Sequence, residues 1–282
     1  MLAIDLGGTR VKAAMVDDGL VSELVVRDHG GGGLAQALAC VDDLIASMPA
    51  ADRIGLCLPG VVDQGRVVSL PGKLAGAVGF DLLGWLGDRC SGSALVVNDA
   101  IAYGVGESGD SPGRTVVVTI GTGVGTCVVE HGQPLGRGPL GGGQLSGQLP
   151  LTADGPIDTS GRTGTVEAWC RAERILEEVR AAGCMAQDVP GCFAAAAAGD
   201  VAALAGLRSY RSWLARGLAS LCLAHAPDVV VVGGGPLSAC SPLLTGLEEL
   251  VLPLLWPGQS VTIRPARYGD AAALVGLEVL SR

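Results

Sequence analysis

The stretch IDLGGTRVKAAMVDDG, Ile4 to Gly19, has a counterpart far along the chain, RTVVVTIGTGVGTCVVEHG, Arg114 to Gly132. Each reads as an apolar strand, a glycine-rich turn and a second apolar strand. Placing Gly7 on Gly121 sets Asp5 on Thr119, so the hairpins lie 114 positions apart (121 minus 7). A repeat at that distance duplicates half of a molecule. The chain has 282 residues, 49% hydrophobic and 17% charged, enough apolar surface for two halves to bury cores of their own and too little charge for a disordered chain.

Strands and helices alternate after each hairpin. The spacing predicts an amphipathic helix over Leu34–Met48, with Leu34, Leu38, Val41, Ile45 and Met48 on one face. Further strands are expected at Arg53–Leu58, Ala94–Val97, Asp228–Val232 and Ser260–Arg264. Further helices are expected at Phe80–Asp88, Val166–Ala182, Ala194–Ala226, Ser241–Leu254 and Ala271–Leu280, with an irregular excursion over Gly136–Gly164. The expectation is an α/β protein of two similar domains. Residues 1–112 would form a small N-terminal domain and 113–269 a larger C-terminal one, with the last helix, about 270–282, packing back onto the first. Ligands would bind in a cleft between them.

A tight glycine turn exposes backbone N–H groups and removes side chains, which suits phosphate oxygens. Gly7, Gly8 and Thr9 form one such turn; Gly121, Thr122 and Gly123, followed by Gly125, form the other. A third cluster, Gly233, Gly234 and Gly235, follows a buried strand and suits a flat ligand, phosphates or a plain strand-to-helix turn. A carboxylate beside bound phosphate is repulsive unless a cation intervenes, so Asp5 suggests Mg²⁺ held through water; capping of the turn is the bland alternative. Lys12 would either approach phosphate or sit solvated on its strand. Asn98 and Asp99 end a strand and open a helix, where they suit an N-cap or a cleft-facing general base.

A net charge of −9 argues against a nucleic-acid partner. No apolar run reaches the roughly 18 residues that a membrane span needs, and Asp5 interrupts any N-terminal leader. The nine cysteines are scattered without a CxxC pair, so free thiols in a reducing cytoplasm are expected and no zinc. His29 is expected to be solvated in its glycine loop, His131 to lie in a turn, and His225 to be a cation at a helix C-terminus.

Taken in order, DLGGTRVKAAMVD, LVVNDAIAYGVGE, TIGTGVGTCVVEHGQPLGRG and PDVVVVGGG resemble the phosphate, catalytic, second phosphate and adenosine motifs of the ROK family of sugar kinases. The resemblance covers essentially the whole chain. It implies the two-domain ribonuclease H-like actin/hexokinase ATPase fold with an interdomain cleft, ATP and Mg²⁺ as cofactors, and a cytoplasmic homodimer. It implies that Asp99 is the general base and that Asn98 holds a neighbouring substrate hydroxyl. The first phosphate motif begins near residue 5, so the DNA-binding extension of the family's repressors is not expected.

The sugar pocket departs from the family pattern. Gly72 or Lys73 stands where the family has Asn. In GGGQLSGQLPL the family's Glu position falls on Leu145, or with a one-residue slip on Gln144, and its His position falls on Gln148. Glu167 survives in DTSGRTGTVEAWC, but the zinc cysteines do not. Removing a pocket's carboxylate changes which hydroxyls it can hold. The resemblance therefore implies an ATP-dependent kinase of a primary hydroxyl on a sugar, amino sugar or sugar-like cyclitol. Lys73, Gly72, Gln148, Glu167 and Asn98 would line the substrate pocket, with Lys73 favouring an anionic or unusual acceptor. Glucose and N-acetylmannosamine stay open as substrates and polyphosphate as a donor. A non-catalytic sugar or ATP sensor is the second reading, and a chaperone or filament ATPase of the same superfamily the third.

Overall fold

The computed structural model describes residues 1–70, 72–109, 111, 113–136, 138, 141–237 and 241–282. Cys240, expected to be a free thiol with the other cysteines, and Pro112, at the expected domain boundary, lie outside the described residues. The chain runs β1 (Leu2–Leu6), β2 (Arg10–Asp17), β3 (Leu20–Val21), β4 (Val25–Asp28), α1 (Leu34–Ser47), β5 (Arg53–Leu58), β6 (Val61–Asp63), β7 (Arg66–Ser69), α2 (Leu82–Gly87), β8 (Ser93–Asn98) and α3 (Asp99–Ser108). It continues through β9 (Arg114–Ile120), β10 (Val124–Glu130), β11 (Gln133–Pro134), α4 (Val166–Cys170), α5 (Glu173–Ala181), α6 (Val189–Ala197), α7 (Val201–His225), β12 (Val229–Gly233), α8 (Leu247–Val251), β13 (Thr262–Pro265) and α9 (Ala272–Leu280). Two compact units result. One holds Met1–Gly109, Gly132–Gly142 and Asp270–Arg282; the other holds Asp110–His131 and Gly143–Gly269.

In the first unit the sheet order is β3-β2-β1-β5-β8, with β4 also on β2. The hairpin pair β1–β2 is antiparallel, while β1–β5 and β5–β8 are parallel. Side chains alternate across a strand, so β1 feeds two cores. Leu2, Ile4 and Leu6 join the cluster under α1 and α2, whereas Ala3 joins Ala273, Leu274 and Leu277 of α9 on the other face. Burial on both faces is why these strands read as mostly apolar runs, with Asp5 in β1 and Lys12 in β2 the interior exceptions.

The helices α3 and α9 cross at glycine. A Cβ added to Gly276 would lie 1.7 Å from the Ala102 carbonyl oxygen, and one added to Gly106 would lie 2.0 Å from that of Ala272. The two backbones touch, which only glycine allows at those positions.

The second unit repeats the plan with β10-β9-β12-β13 in sheet order, β9–β10 antiparallel and both pairings of β12 parallel. Its hairpin turn is one residue tighter. In the first unit Leu6 pairs with Val11 and the Gly7 N–H closes on the Arg10 oxygen at 2.8 Å. In the second Ile120 pairs with Val124 and the Gly121 N–H closes on the Gly123 oxygen at 2.9 Å.

Three helices differ from expectation. Val166–Ala182 is two helices, because Arg171 turns to extended backbone and the Ala172 N–H donates to the Gly121 oxygen at 2.8 Å. Ala194–Ala226 is likewise two: α6 begins earlier, capped by Asp188, and ends at Ala197, Gly199 beyond it takes a left-handed φ of +85°, and the Asp200 side chain then caps α7. Ser241–Leu254 is mostly turn, with helix confined to α8 and a short 3-10 turn at Leu252–Leu254; Gly246 in the left-handed region precedes the one, and Pro253 sits inside the other.

Gly276→Ala should lower the urea-unfolding free energy by about 3 kcal/mol, the upper range for overpacking a closed contact. Gly87→Ala, whose added methyl meets open space on a helix, should leave stability unchanged or raise it slightly.

Candidate active site

The parallel strands of the first unit end side by side. Asp5 on β1 lies opposite Cys57 on β5, and Leu58 on β5 lies opposite Asn98 on β8. Asp99 follows as the first residue of α3. Both carboxylates are partly buried. Burial, then the nearby Asp99 charge, pushes the Asp5 carboxyl up to about 6, against the pull of Lys12 and of the Cys57 thiol, which donates to Oδ1 at 3.7 Å. Burial also holds the Asp99 carboxyl above the usual carboxylate range, opposed by the Ala100 N–H, Lys73 and the Asn98 amide. Cys57, wholly buried beside these charges, is pushed well above the ordinary thiol range.

Asn98 caps α3. Its Oδ1 accepts from the Ile101 N–H at 3.0 Å, and its amide donates to the Gly60 oxygen at 2.7 Å and to Asp99 Oδ1 at 3.1 Å. Both amide hydrogens are thus engaged within the unit. Asp99 Oδ1 also accepts from the Ala100 N–H at 2.8 Å. Lys12 faces Asp5 across the β1–β2 pair and is ion-paired to Asp270 at 2.9 Å. Gly72 has a φ of +69° with open space beside it, and Lys73 lays its stem along Gly8.

His29 is not solvated as expected. Pairing of β4 with β2 carries it beneath the first glycine turn, where it is 4% exposed. Its Nε2 donates to the Gly7 oxygen at 3.1 Å, its own N–H donates to the Thr9 oxygen at 2.9 Å, and Nδ1 has no partner among the described residues. The β2–β4 pairing left no mark in the local sequence, so the histidine looked like a loop residue.

The second unit gathers Gly123, Val124, Gln148 and Glu167. Glu167, in the first turn of α4, is buried. Its Oε2 accepts from the Val124 N–H at 3.0 Å and the Gln148 amide at 3.4 Å, while Oε1 accepts from the Thr159 N–H at 3.0 Å. A Cβ on Gly123 would lie 2.8 Å from Glu167 Oε2, so the carboxylate braces the second glycine turn from behind. Gln148 Oε1 is buried and has no partner among the described residues. Leu145 is exposed. Thr122 is exposed at the turn and Gly121 faces open space, while Gly125 pairs with Thr119 inside the hairpin.

In the third cluster Gly233 pairs with Thr119 at the end of β12. Gly234 has a φ of +102° and packs on β9, where a Cβ would lie 2.1 Å from the Ile120 oxygen; Gly235 faces open space. His225 is not the expected cation. It meets Ser146 Oγ at 2.7 Å through Nε2, and burial, then the Arg114 charge, holds its pKa below the ordinary histidine value. Arg114 itself donates to the His225 carbonyl at 2.6 Å, taking the place at the helix end that a protonated ring was expected to fill.

Among the described residues no helix is long and apolar enough to cross a membrane. A family model described as the ROK family matches residues 1–282. An N-acetylmannosamine kinase of Citrobacter koseri is 32% identical over 301 residues, covering 100% of this chain and 98% of its own. Among solved structures, a ROK hexokinase from Thermus thermophilus superposes with a TM-score of 0.82 at 26% identity, over 99% of this chain and 96% of that one. A ROK glucokinase from Streptomyces griseus, in complex with glucose and AMPPNP, shares the fold with a TM-score of 0.82 at 21% identity, over 99% of both chains.

Because the folded-state pKa of Asp5 lies above its unfolded value, its ionisation costs stability above pH 6 and costs nothing below about pH 4. Asp5→Asn should therefore stabilise the unliganded chain at pH 7 by on the order of 2 kcal/mol, with the gain fading toward pH 4 in urea-unfolding series. For His225 the sign is opposite in pH. Its folded pKa is lowered, so its contribution is present above about pH 6.5 and is lost as pH falls toward the folded value. His225→Gln should flatten the decline of the unfolding midpoint between pH 7 and pH 5.

Proposed function

Since the chain belongs to the ROK family, we propose that it is an ATP-dependent kinase of a primary hydroxyl on a sugar, amino sugar or sugar-like cyclitol. It is a carbohydrate kinase with the ROK hexokinase fold. The observation that carries the finer reading is the carboxylate pair at the ends of β1 and β8. Burial disfavours the Asp99 anion, and its place as the first residue of α3 beside Asn98 suits it to take a proton from an acceptor hydroxyl. Its Oδ1 is occupied by two donors, which orients the carboxylate and leaves Oδ2 for the acceptor hydroxyl. As Asp99 takes that proton, the acceptor oxygen attacks the γ-phosphorus and the bond to the β-phosphate oxygen breaks.

Mg²⁺ suits Asp5 on chemistry. A partly buried carboxylate raised in pKa by a second carboxylate gains more than an ordinary one from a cation, and Asp5 would hold the ion through water. An ion held there would supply charge neutralisation to the phosphates. The turns Gly7–Thr9 and Gly121–Gly123 would offer backbone N–H groups to phosphate oxygens, with open space at Gly121, and Gly233–Gly235 would face the nucleoside. The unpartnered Oε1 of Gln148 is a buried acceptor suited to a substrate hydroxyl, while Glu167 fixes the amide end of that side chain. Gly72 would leave room beside the acceptor. A cytoplasmic homodimer belongs to the same proposal.

ADP release with Mg-ATP should be measured against hexoses, amino sugars, sugar acids and cyclitols. Asp99→Asn should lower kcat by about 10²- to 10⁴-fold with ATP still bound. Strong turnover on glucose or N-acetylmannosamine alone would replace the altered-pocket reading by a kinase of that sugar. No turnover on any acceptor, with ATP bound, would favour the sensor.

A further inference from the structure

Lys73 stands on a segment fixed more firmly than its exposure suggests. Leu70, Leu74 and Ala77 on either side are buried in the core under α1 and α2. Leu74 takes a left-handed φ of +44°, a conformation that a branched side chain adopts only when its surroundings impose it. The Ala77 N–H closes the turn on the Leu74 oxygen at 3.0 Å, and the Ala75 oxygen accepts from the Leu34 N–H at 2.9 Å, which ties the segment to the start of α1. Gly33 is bare where this contact needs it, since a Cβ there would lie 3.1 Å from the Ala75 oxygen.

That fixed segment lays the Lys73 stem across the first glycine turn. Its Cδ, Cγ and Cε lie 3.5, 3.7 and 3.9 Å from the place a Gly8 Cβ would occupy. Its charge also reaches the Asp99 carboxylate. Of the other basic side chains in this unit, Lys12 pairs with Asp270, Arg10 with Asp28, Arg66 with Asp81, Arg89 with Asp42 and Arg282 with Glu278; Lys73, like Arg27 and Arg53, is in no salt bridge among the described residues, and it is Lys73 whose stem lies along Gly8.

We propose that Lys73 is a further catalytic residue, whose ammonium group meets the γ-phosphoryl oxygens as they pass from the Gly7–Thr9 turn to the acceptor oxygen at Asp99. This rests on the kinase reading above. The step balances without another reactant: the acceptor O–H proton goes to Asp99, the new O–P bond forms, and the electron pair of the broken P–O bond leaves on the β-phosphate oxygen of ADP. The three γ-phosphoryl oxygens carry charge throughout, and a lysine meets such charge as a compact point cation. An acceptor-specificity role for the same cation would instead act on the acceptor's own anionic groups, so the two roles separate in experiment.

The test compares wild type, Lys73→Met and Lys73→Arg by acceptor kinetics and by calorimetric titration with Mg-ATP and with Mg-ADP. Lys73→Met should lower kcat about 100-fold with the acceptor KM changed less than about threefold, the pattern of an interaction made to the moving group. It should reduce the ratio of ATP to ADP affinity about tenfold through ATP alone, and Lys73→Arg should recover part of both. Unchanged kcat and an unchanged affinity ratio would overturn the proposal. So would a loss confined to acceptor KM, which would make Lys73 an acceptor-recognition residue. If wild type turns over no acceptor, the kinase reading fails by itself, and the ATP-to-ADP comparison still decides whether Lys73 meets the γ-phosphoryl group.

Discussion

Two carboxylates held close together in a partly dry place repel each other, and the first unit is built around that repulsion. Asp5 and Asp99 stand at the ends of β1 and β8, with β5 between those strands, so sheet register and not side-chain choice sets them near one another. The surrounding groups divide the strain. Lys12, held by Asp270, faces Asp5; the Ala100 N–H and Asn98 face Asp99. None of them cancels the charge, and both carboxyls remain shifted upward. Two acids held above their ordinary range by burial, beside a glycine turn, are the kind of perturbed cluster on which the proposed chemistry rests.

Much of this was legible in the sequence because strand–turn–strand signals are local. The two hairpins, the strands over Arg53–Leu58 and Val229–Gly233, and the Asn98–Asp99 start of α3 follow from apolar runs punctuated by glycine and Asn-Asp. What was not legible depends on contacts between distant segments. His29 looked like a loop residue until β4 paired with β2 and drew it under Gly7. His225 looked like a helix-terminal cation until Ser146 and Arg114 closed around it. The break between α4 and α5 has no glycine or proline to announce it; the Ala172 N–H is taken by the carbonyl of Gly121, about 50 residues earlier in the chain. In each case tertiary partners overrode a local preference.

The second unit uses its acid differently. Glu167 is buried, but it accepts from backbone and side-chain donors on both oxygens, so it serves as a brace against Gly123. The contrast with Asp5 and Asp99 lies in partners, since a carboxylate fully supplied with donors has little left for a ligand. Gln148 sits between these extremes, with its amide given to Glu167 and its carbonyl oxygen unpartnered. Of the departures from the family's pocket pattern, Gln148 is thus half committed to structure and half free.

The crossing of α3 and α9 also bears on how the chain is made. Residues of α9 pack on β1, β2 and β5, so the first unit is closed by a segment that follows the second unit in the chain. Its sheet can pair early, but one face of that sheet stays uncovered until Asp270–Arg282 has left the ribosome. By then every residue of the second unit is already available to fold. Completion of the unit that carries Asp5 and Asp99 thus waits on the synthesis of the second unit, and a nascent chain stalled before residue 270 would display an open apolar sheet face to the cell's chaperones.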